Sequence, residues 1–286
     1  MKQYIMKSNV FVIVIFSFFS YGAIGQTINN CLRLAEQQYV LENYYEVIEL
    51  YERVAFFGKD SLQLSDYINW ADSYRQINDY EKAAINYEIA ANLAGVNDSL
   101  RTYFFLKVSF CQIMQNHYQE SLVTLYNLAD SLPEKLEETK LLYTGITSFK
   151  LNQFDEAERA FSSYFSNAPY QQQAIGLFKK NKRLERRFNP KKAKVLSILL
   201  PGLGQIYYGD TRSGLNSFLL NGALMALSLN YIVTYSFVEG FLAVGPWFQR
   251  YYVGGFTRAK KGAVDKIEME RQRILVELLA MVKETN

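Results

Sequence analysis

The side chains that most often perform catalysis are scarce in this chain. Its 286 residues contain one histidine, His117, and two cysteines, Cys31 and Cys111. So few ligands cannot build a zinc ribbon, a histidine-rich metal site or a disulfide scaffold. A thiolate nucleophile needs a base beside it, and His117 lies six residues beyond Cys111, across a predicted turn. The histidine and the cysteines therefore predict neither nucleophilic nor metal-dependent chemistry, and we expect no cofactor.

Glycines and carboxylates offer two further kinds of site. Residues 200–210 (LPGLGQIYYGD) are glycine-rich, as a phosphate-binding loop is, but the Lys-Ser/Thr pair that would hold phosphate and magnesium is missing. The sequence has no Gly-x-Ser-x-Gly elbow of a serine hydrolase. The carboxylates Asp155, Glu156 and Glu158 fall on one predicted helix and are interpreted as a solvated face. The sequence therefore predicts a protein that is not an enzyme.

Composition and charge narrow the class of protein. Hydrophobic residues make up 49% of the chain and charged residues 21%, which indicates folded domains rather than disorder. The net charge of +3 is too balanced to indicate a nucleic-acid partner. The 22 tyrosines and 20 phenylalanines imply that aromatic packing recurs along the chain.

Residues 1–25 have the layout of a secretory signal peptide. Lys2 and Lys7 form a basic front, residues 10–19 are almost continuously apolar, and Ala23-Ile24-Gly25 is a small-x-small cleavage site before Gln26. The alternative is a signal anchor that stays attached. Either segment would place the residues that follow it outside the cytoplasm.

Four segments align without gaps and predict helical repeats. Each carries an aromatic anchor, a second residue three positions later and a bulky residue seven positions later, a spacing that puts all three on one helical face. An amphipathic run precedes each segment, so each repeat is predicted to be two helices joined by a short polar turn. The anchors, which lie 36, 38 and 36 residues apart, are Tyr44, Tyr80, Tyr118 and Phe154; they are followed by Val47, Ala83, Ser121 and Ala157, and then by Tyr51, Tyr87, Leu125 and Phe161.

This pattern resembles the tetratricopeptide repeat, a helix–turn–helix unit of about 34 residues. The second repeat carries the resemblance best, with Trp70, Ala71, Tyr74, Tyr80, Ala83, Tyr87 and Ala90. The resemblance covers about residues 29–170, and we assign about four repeats to residues 26–178. It implies an α-solenoid whose concave groove receives a protein or peptide partner. Asn69, Ser73 and Gln76, polar residues of a first helix, are the candidate groove residues.

A change in charge marks the boundary between this repeat region and a hydrophobic tail. Residues 179–194 hold nine basic residues and one acid, a local charge of +8, whereas residues 195–249 hold only Asp210, Arg212 and Glu239 as charged residues.

We assign residues 195–257 to a transmembrane region. Residues 213–237 are 25 residues without a charge, about 37 Å as a helix, and 240–257 predict a second span. Residues 195–208 are too short for a straight span. The alternative is a buried helical hairpin of a soluble domain.

The start of the tail carries the sharpest local motif. It consists of Pro201, Gly202, Gly204, Gln205, Tyr207 and Gly209. It resembles the PGxGQxYxG motif of small bacterial membrane-hairpin domains, which follow tetratricopeptide modules in envelope proteins. The resemblance implies that these residues form a tight turn where the chain passes into the bilayer. Farther along, Arg250 is a charge within a predicted span, which hints at function if it pairs with Asp210 or Glu239 and is otherwise interpreted as snorkelling.

Other features of the tail bear on helix packing. Gly222 and Ala226 form a small-xxx-small pair that would allow close helix contact, in this chain or between copies of it. Residues 258–286 predict an amphipathic helix that docks on a partner or on its own chain. Its apolar face consists of Val264, Ile267, Ile274, Leu278 and Met281.

The sequence therefore predicts an all-α protein, with a tetratricopeptide-like solenoid followed by a small transmembrane helical bundle. The first functional hypothesis is a non-catalytic scaffold of the bacterial cell membrane, with periplasmic repeats that bind a protein and a tail that contacts membrane lipid. The second is a transport or insertion component in which the tail forms a homo-oligomer. The third is a soluble cytoplasmic adaptor.

Export of the repeats would place the basic segment, residues 179–194, outside the cytoplasm, against the positive-inside tendency. The sequence allows two or three membrane spans.

Overall fold

The computed structural model describes residues 27–95, 97–129 and 131–285 of the chain. Within these ranges the secondary structure is helical and contains no strand, so the all-α prediction is confirmed. The chain divides into two compact units between Leu151 and Asn152. The predicted signal peptide, residues 1–25, lies outside the described residues.

The first unit is a series of helices that pack against one another in chain order. Consecutive helices form pairs joined by short turns, and the first helix of one pair also contacts the first helix of the next, α1 with α3 and α5 with α7. A 3-10 turn at Lys59–Ser61 follows the second helix. The helices are α1 Ile28–Val40, α2 Tyr44–Gly58, α3 Leu64–Gln76, α4 Tyr80–Leu93, α5 Asp98–Met114, α6 Tyr118–Tyr126 and α7 Glu134–Lys150.

The turns within the first three pairs share one backbone geometry. Glu42, Asn78 and Asn116 have φ angles of 60°, 64° and 63°, in the left-handed region where asparagine is tolerated better than most side chains. In each turn the next N–H donates to a carbonyl five residues earlier, over 3.0, 2.9 and 2.8 Å. This bond is the one that closes a Schellman motif at a helix end. A fourth left-handed residue, Asn152, has φ 61° and opens the second unit. All four lie two residues before the predicted aromatic anchors.

Small residues let the paired helices approach closely. Val47, Ala83 and Ser121, on the second helices, have no exposed surface. The Ser121 hydroxyl lies 2.8 Å from that of Ser109 on the facing helix, so a polar pair is satisfied inside the contact. The bulky residues of the same repeats, Tyr51, Tyr87 and Leu125, are buried beside them. The residue types and spacing found in the sequence therefore form the core of this unit.

The second unit contains six helices, of which the last is the longest. Its helices are α8 Phe154–Tyr164, α9 Ala168–Arg187, α10 Pro190–Leu199, α11 Leu203–Tyr207, α12 Thr211–Thr234 and α13 Phe237–Thr285. α12 and α13 pack as an antiparallel hairpin across a two-residue link, and α9, α10 and α11 also contact α13. The 49 residues of α13 span about 73 Å and continue through Pro246. The predicted boundary at residue 258 is therefore not a break, because a single helix runs across it.

The carboxyl-terminal half of α13 docks on its own chain. Four of the five predicted apolar-face residues, Ile267, Ile274, Leu278 and Met281, are buried, whereas Val264 is 48% exposed. This half packs against α9, with Arg271 paired to Glu185 at 2.8 Å. α9 also packs on α8. These contacts draw residues 152–194 into the second unit, so the division between the units lies upstream of the charge boundary at residue 179.

Arg271 completes the fourth turn in a way that no local pattern predicts. In the second turn the Asn78 side-chain oxygen accepts a hydrogen bond from the Tyr80 hydroxyl at 2.8 Å, and the third turn repeats this bond. Phe154 has no hydroxyl to donate. Arg271 donates to the Asn152 oxygen instead, at 3.4 Å, and its guanidinium lies 4.6 Å from the centre of the Phe154 ring. The terminal helix thus supplies the donor that the fourth turn lacks.

The left-handed turn residues give a test of this local geometry. Asn78→Gly should lower the thermal unfolding temperature of the full chain in detergent only slightly, because glycine adopts positive φ without strain and the change removes only the exposed hydrogen bond from the Tyr80 hydroxyl. Asn78→Val should lower stability by about 1–2 kcal/mol, because a β-branched side chain fits the left-handed conformation poorly and, unlike asparagine, cannot hydrogen-bond to the nearby backbone. Asn92→Val is the matched control, since Asn92 is an exposed residue within the ordinary helix α4. Equal effects of the two valine variants on circular-dichroism melting curves would contradict the assignment.

Candidate functional site

The glycines of the 200–210 motif bring helix backbones into contact. Gly202 ends the turn after α10 with φ 92°, and a β-carbon there would lie 2.0 Å from the Gly214 carbonyl oxygen on α12. A β-carbon on Gly204 would lie 2.0 Å from the Ala193 carbonyl oxygen on α10. Both distances are far below any van der Waals contact. The motif therefore fixes the crossings of α10, α11 and α12, and Gly209, with φ 100°, makes the next turn.

Gln205 is the polar centre of this crossing and is only 1% exposed. Its side-chain oxygen accepts a hydrogen bond from the Ser197 hydroxyl at 2.9 Å. Its amide nitrogen donates to the Gly255 carbonyl at 2.9 Å, fifty residues farther along the chain. The Ser197 oxygen also accepts from the Gly204 N–H at 3.0 Å. Because a satisfied buried network favours one arrangement of its members, Gln205 holds α10, α11 and α13 in register.

Tyrosines surround the same crossing. The Tyr207 hydroxyl oxygen accepts from the Asn189 N–H at 3.3 Å, and the Lys192 ammonium lies 5.2 Å from its ring centre. The Tyr252 hydroxyl donates to the Ile198 carbonyl at 2.5 Å. Pro201 is half-buried in the turn. The motif residues thus lie together and pack the crossing of α10, α11, α12 and α13. They do not form a loop around a ligand.

This helix crossing determines which segments lie at the same end of the α12–α13 hairpin. Gln205 reaches Gly255, and the Lys194 ammonium lies 5.3 Å from the Phe256 ring centre. The basic segment 179–194 therefore leads into the same end of the hairpin as Arg258, Lys260 and Lys261. The link between the two helices, residues 235–236, forms the opposite end.

A polar cleft of about 460 Å³ lies between α12 and α13 near the basic end. One wall carries Ser213, Ser217 and Asn221 at four-residue intervals, and the other carries Arg250 and Arg258 with Gly254 between them. No carboxylate is among the described residues that line it. The full lining is Gln205, Ser213, Asn216, Ser217, Leu220, Asn221, Arg250, Tyr251, Gly254, Gly255 and Arg258.

Arg250 and Asn221 are the unusual members of this lining. Within the described part of the chain Arg250 forms no salt bridge, so it pairs with neither Asp210 nor Glu239. Asn221 is 3% exposed, and its amide nitrogen donates to the Ser217 carbonyl at 2.8 Å. Its side-chain oxygen is buried and has no hydrogen-bond partner among the described residues. A buried acceptor without a partner is costly, so this oxygen marks a place for a donor.

The surface of the hairpin outside the cleft is strongly apolar. α12 is the one helix among the described residues that is long and apolar enough to span a membrane. Its mean hydropathy is 1.4, and only 6% of that apolar stretch is buried. The large exposed apolar side chains continue along the first half of α13. Examples on the two helices are Leu215, Phe218, Leu219, Met225, Leu229, Val233, Val238, Phe241, Leu242 and Val253.

The predicted groove residues of the first unit do not form one surface. Ser73 has no exposed surface, and its hydroxyl donates to the Asn69 carbonyl at 2.6 Å, so it has no area for a partner. Asn69 is half-buried, and Gln76 is exposed. In the second unit, Gly222 and Ala226 are exposed and a β-carbon at Gly222 would meet open space. The close helix contact expected at Gly222 therefore does not occur within this chain.

Asp72 organises a polar cluster that the sequence did not reveal. Its carboxylate accepts hydrogen bonds from the Tyr87 hydroxyl and from the Arg75 Nε at 3.3 Å. Burial, and then Asp72, raise the pKa of Tyr87, which therefore stays protonated as the donor. Burial also raises the pKa of Cys111 to about 12, so its thiol is protonated at neutral pH. The residues described hold no group of three or more histidine, cysteine or acidic side chains that could bind a metal.

A separate cleft of about 560 Å³ lies on the first unit, among α4, α5 and α6. Glu88, Asp98 and Arg101 give it charge, and Phe105 and Leu128 give it an apolar floor. Mixed linings of this kind suit a peptide that presents both polar and apolar groups. No sequence pattern singled these residues out, because they come from α4, from α5 and from the chain just after α6.

The backbone contact at Gly204 gives the second test. Gly204→Ala should prevent correct packing of α10 on α11, because the new β-carbon would overlap the Ala193 carbonyl, and should abolish recovery of monodisperse protein in detergent. Gly222→Ala, the same change at an exposed helical position with open space, should be recovered like the unaltered chain. Size-exclusion chromatography of both variants is the measurement. Normal elution of the Gly204 variant would mean that the backbones do not meet there.

The site therefore combines a close helix crossing, a positively charged cleft and a large apolar surface on one hairpin. Its two arginines can bind an anion, and its apolar surface can contact lipid. No known protein family, curated protein or solved structure matches the chain.

Proposed function

We propose that this chain is a membrane-anchored adaptor of the bacterial cell envelope, in which residues 211–257 insert into the bilayer as a two-helix hairpin. The exposed apolar surface of that hairpin carries the proposal. Soluble monomers rarely expose contiguous apolar patches above a few hundred Å², and this surface extends over both helices. The 24 residues of α12 span about 36 Å, enough for a hydrocarbon core of about 30 Å.

The first part of α13 supplies the second span. Residues 237–257 cover about 31 Å as a helix and run antiparallel to α12. Of their polar residues, Arg250 lines the cleft shared with α12, whereas Glu239 and Gln249 are exposed outside it, Glu239 beside the link between the two helices. Two spans, rather than three, follow from this arrangement, because α10 and α11 together are too short and broken at Gly202 to cross.

The charges and aromatic residues favour an anchored hairpin. Basic residues of the 179–194 segment, with Arg258, Lys260 and Lys261, meet at one end, where they can contact anionic lipid headgroups. Tyr207, Tyr208, Tyr251 and Tyr252 lie at that end and Tyr231 and Tyr235 at the other, the positions of an interfacial belt. Trp247 does not belong to this belt, since it lies midway along the second span.

The helical pairs of the first unit are proposed to form a tetratricopeptide-like solenoid that holds a protein partner. The recurring left-handed turns at 36- to 38-residue intervals support a stacked series of equivalent pairs. The cleft lined by Glu88, Arg101 and Phe105 is the surface of this unit with the mixed chemistry that a peptide requires. In this proposal the hairpin provides attachment, and the repeats provide recognition.

The orientation that we propose is periplasmic for residues 27–194. The apolar stretch near the amino terminus is translated first, and the first hydrophobic segment usually dominates topology. No described segment between residues 27 and 194 is a candidate span, so these residues lie on the side to which the amino-terminal apolar stretch delivers them. The basic residues at the end of the hairpin oppose this orientation through the positive-inside tendency, and the test below decides between the two.

Membrane fractionation followed by proteolysis tests both parts of the proposal. The full chain should stay with membranes after extraction at alkaline pH and be released by detergent. Protease added to intact spheroplasts should remove the repeats, and the mature chain should begin at Gln26. A chain in the soluble fraction would refute insertion, whereas protected repeats with Met1 retained would place them in the cytoplasm.

A further inference from the structure

We propose that the cleft between α12 and α13 binds a phosphate group, and that its depth in the hairpin makes a phospholipid headgroup the source. This inference rests on the proposed insertion of the hairpin for the source of the ligand, but the cleft itself stands on geometry alone. It groups polar side chains between two helices whose outer faces are apolar.

The cleft is held open by its own sequence. Arg250, Gly254 and Arg258 recur every four residues, so they follow one face of α13, with the arginines about 12 Å apart along the axis. A β-carbon at Gly254 would meet nothing within 4 Å, which leaves a gap between the two arginines. Ser213 and Ser217 line the facing wall. The result is a slot with cations at both ends and hydroxyls opposite.

The charge of the slot is not neutralised by the protein. Neither Arg250 nor Arg258 forms a salt bridge with the residues described, and the lining has no acid. Arg258 also borders a second cavity, where Asp210 and Asp265 lie with Lys261 and Lys266. Lys266 there pairs with Glu270 at 3.1 Å, and neither Asp210 nor Asp265 forms a salt bridge with the described residues, so the lining of the cleft itself carries two arginines and no acid. Guanidinium groups bind phosphate through paired hydrogen bonds, which gives the ligand its chemical class.

The buried Asn221 oxygen indicates that the ligand also carries a donor. This atom has no partner among the described residues, although the Asn221 amide nitrogen is bonded to Ser217. A hydroxyl of the ligand, or a guanidinium drawn inward with the phosphate, would satisfy it. A glycerol headgroup provides both the phosphate and the hydroxyl, so an anionic glycerophospholipid suits the slot best.

The position of the slot selects the lipid over a dissolved anion. Arg258 lies just beyond the proposed second span, close to the level of the lipid headgroups, and Arg250 is about 12 Å deeper along the helix axis. A lipid phosphate can therefore bind at the Arg258 end of the slot, and the slot continues from there into the hydrocarbon region, which a dissolved anion does not enter. The slot opens between two helices whose outer faces are apolar, so acyl chains can lie against them.

Native mass spectrometry of the full chain in detergent tests this site. Phosphatidylglycerol, phosphatidylcholine and inorganic phosphate are titrated separately into the unaltered chain and into Arg250→Gln and Arg258→Gln. Each variant should bind phosphatidylglycerol about tenfold more weakly, the effect of losing one charge-assisted hydrogen bond. Arg212→Gln is the matched control, because Arg212 is an exposed arginine at the same end of α12 and does not line the slot. It should change the affinity less than twofold.

The outcomes separate the source of the phosphate from the existence of the site. Equal losses for Arg212→Gln and Arg250→Gln would overturn the site, as would no loss in any variant. Binding of inorganic phosphate with the same dependence on Arg250 and Arg258, but no preference for phosphatidylglycerol, would keep the phosphate chemistry and overturn the lipid source. A chain that fractionates as soluble yet retains this phosphate binding would refute the hairpin's insertion and leave the slot intact.

Discussion

Direct contact between helix backbones at Gly202 and Gly204 is the constraint on which the second unit depends. No side chain larger than hydrogen fits at either position, and Gln205, between α10 and α13, converts that proximity into two specific hydrogen bonds. Once these bonds are made, α10 must end where the hairpin begins. The basic residues before α10 and those after residue 257 then share one end of the hairpin, and the cleft between α12 and α13 opens near it. The close backbone contacts at Gly202 and Gly204 therefore determine that the basic residues of the tail lie at one end of the hairpin.

The sequence predicted what is local in this structure. The short polar turns between paired helices were predicted, since turn residues and a helix start leave a signal within a few positions, but their left-handed geometry, at Glu42 as well as at Asn78 and Asn116, was not. The glycine motif predicted a tight turn for the same reason. Val264 was the one predicted face residue that proved exposed, because helical periodicity alone does not set the limits of a buried face. Ser73 was predicted to line the groove but is buried, because the spacing of residues on a helix does not show which of its faces is buried.

The contacts that join distant segments had no such signal. Arg271 reaches Asn152 and Phe154 from more than a hundred residues away, and Gln205 reaches Gly255 across fifty. Neither partner can be inferred from spacing. The continuity of α13 was missed because composition changes sharply near residue 258, although the backbone does not. A helix that passes from an apolar to an aqueous environment changes its composition without changing its geometry. In the same way, the boundary between the two compact units, after Leu151, does not coincide with the change in charge at residue 179.

The proposed insertion of the hairpin is tested most directly by spin-label accessibility along α12 in lipid nanodiscs. Nitroxides are placed one at a time at Arg212 and Met225 on α12 and at Ser236 in the link that follows it, after replacement of both native cysteines. The account predicts that collisions with oxygen are most frequent at Met225, in the middle of the helix, and that a water-soluble nickel complex reaches only the two outer positions. Equal access of the nickel complex to Met225 and to Arg212 would contradict it, because that helix would then lie in water.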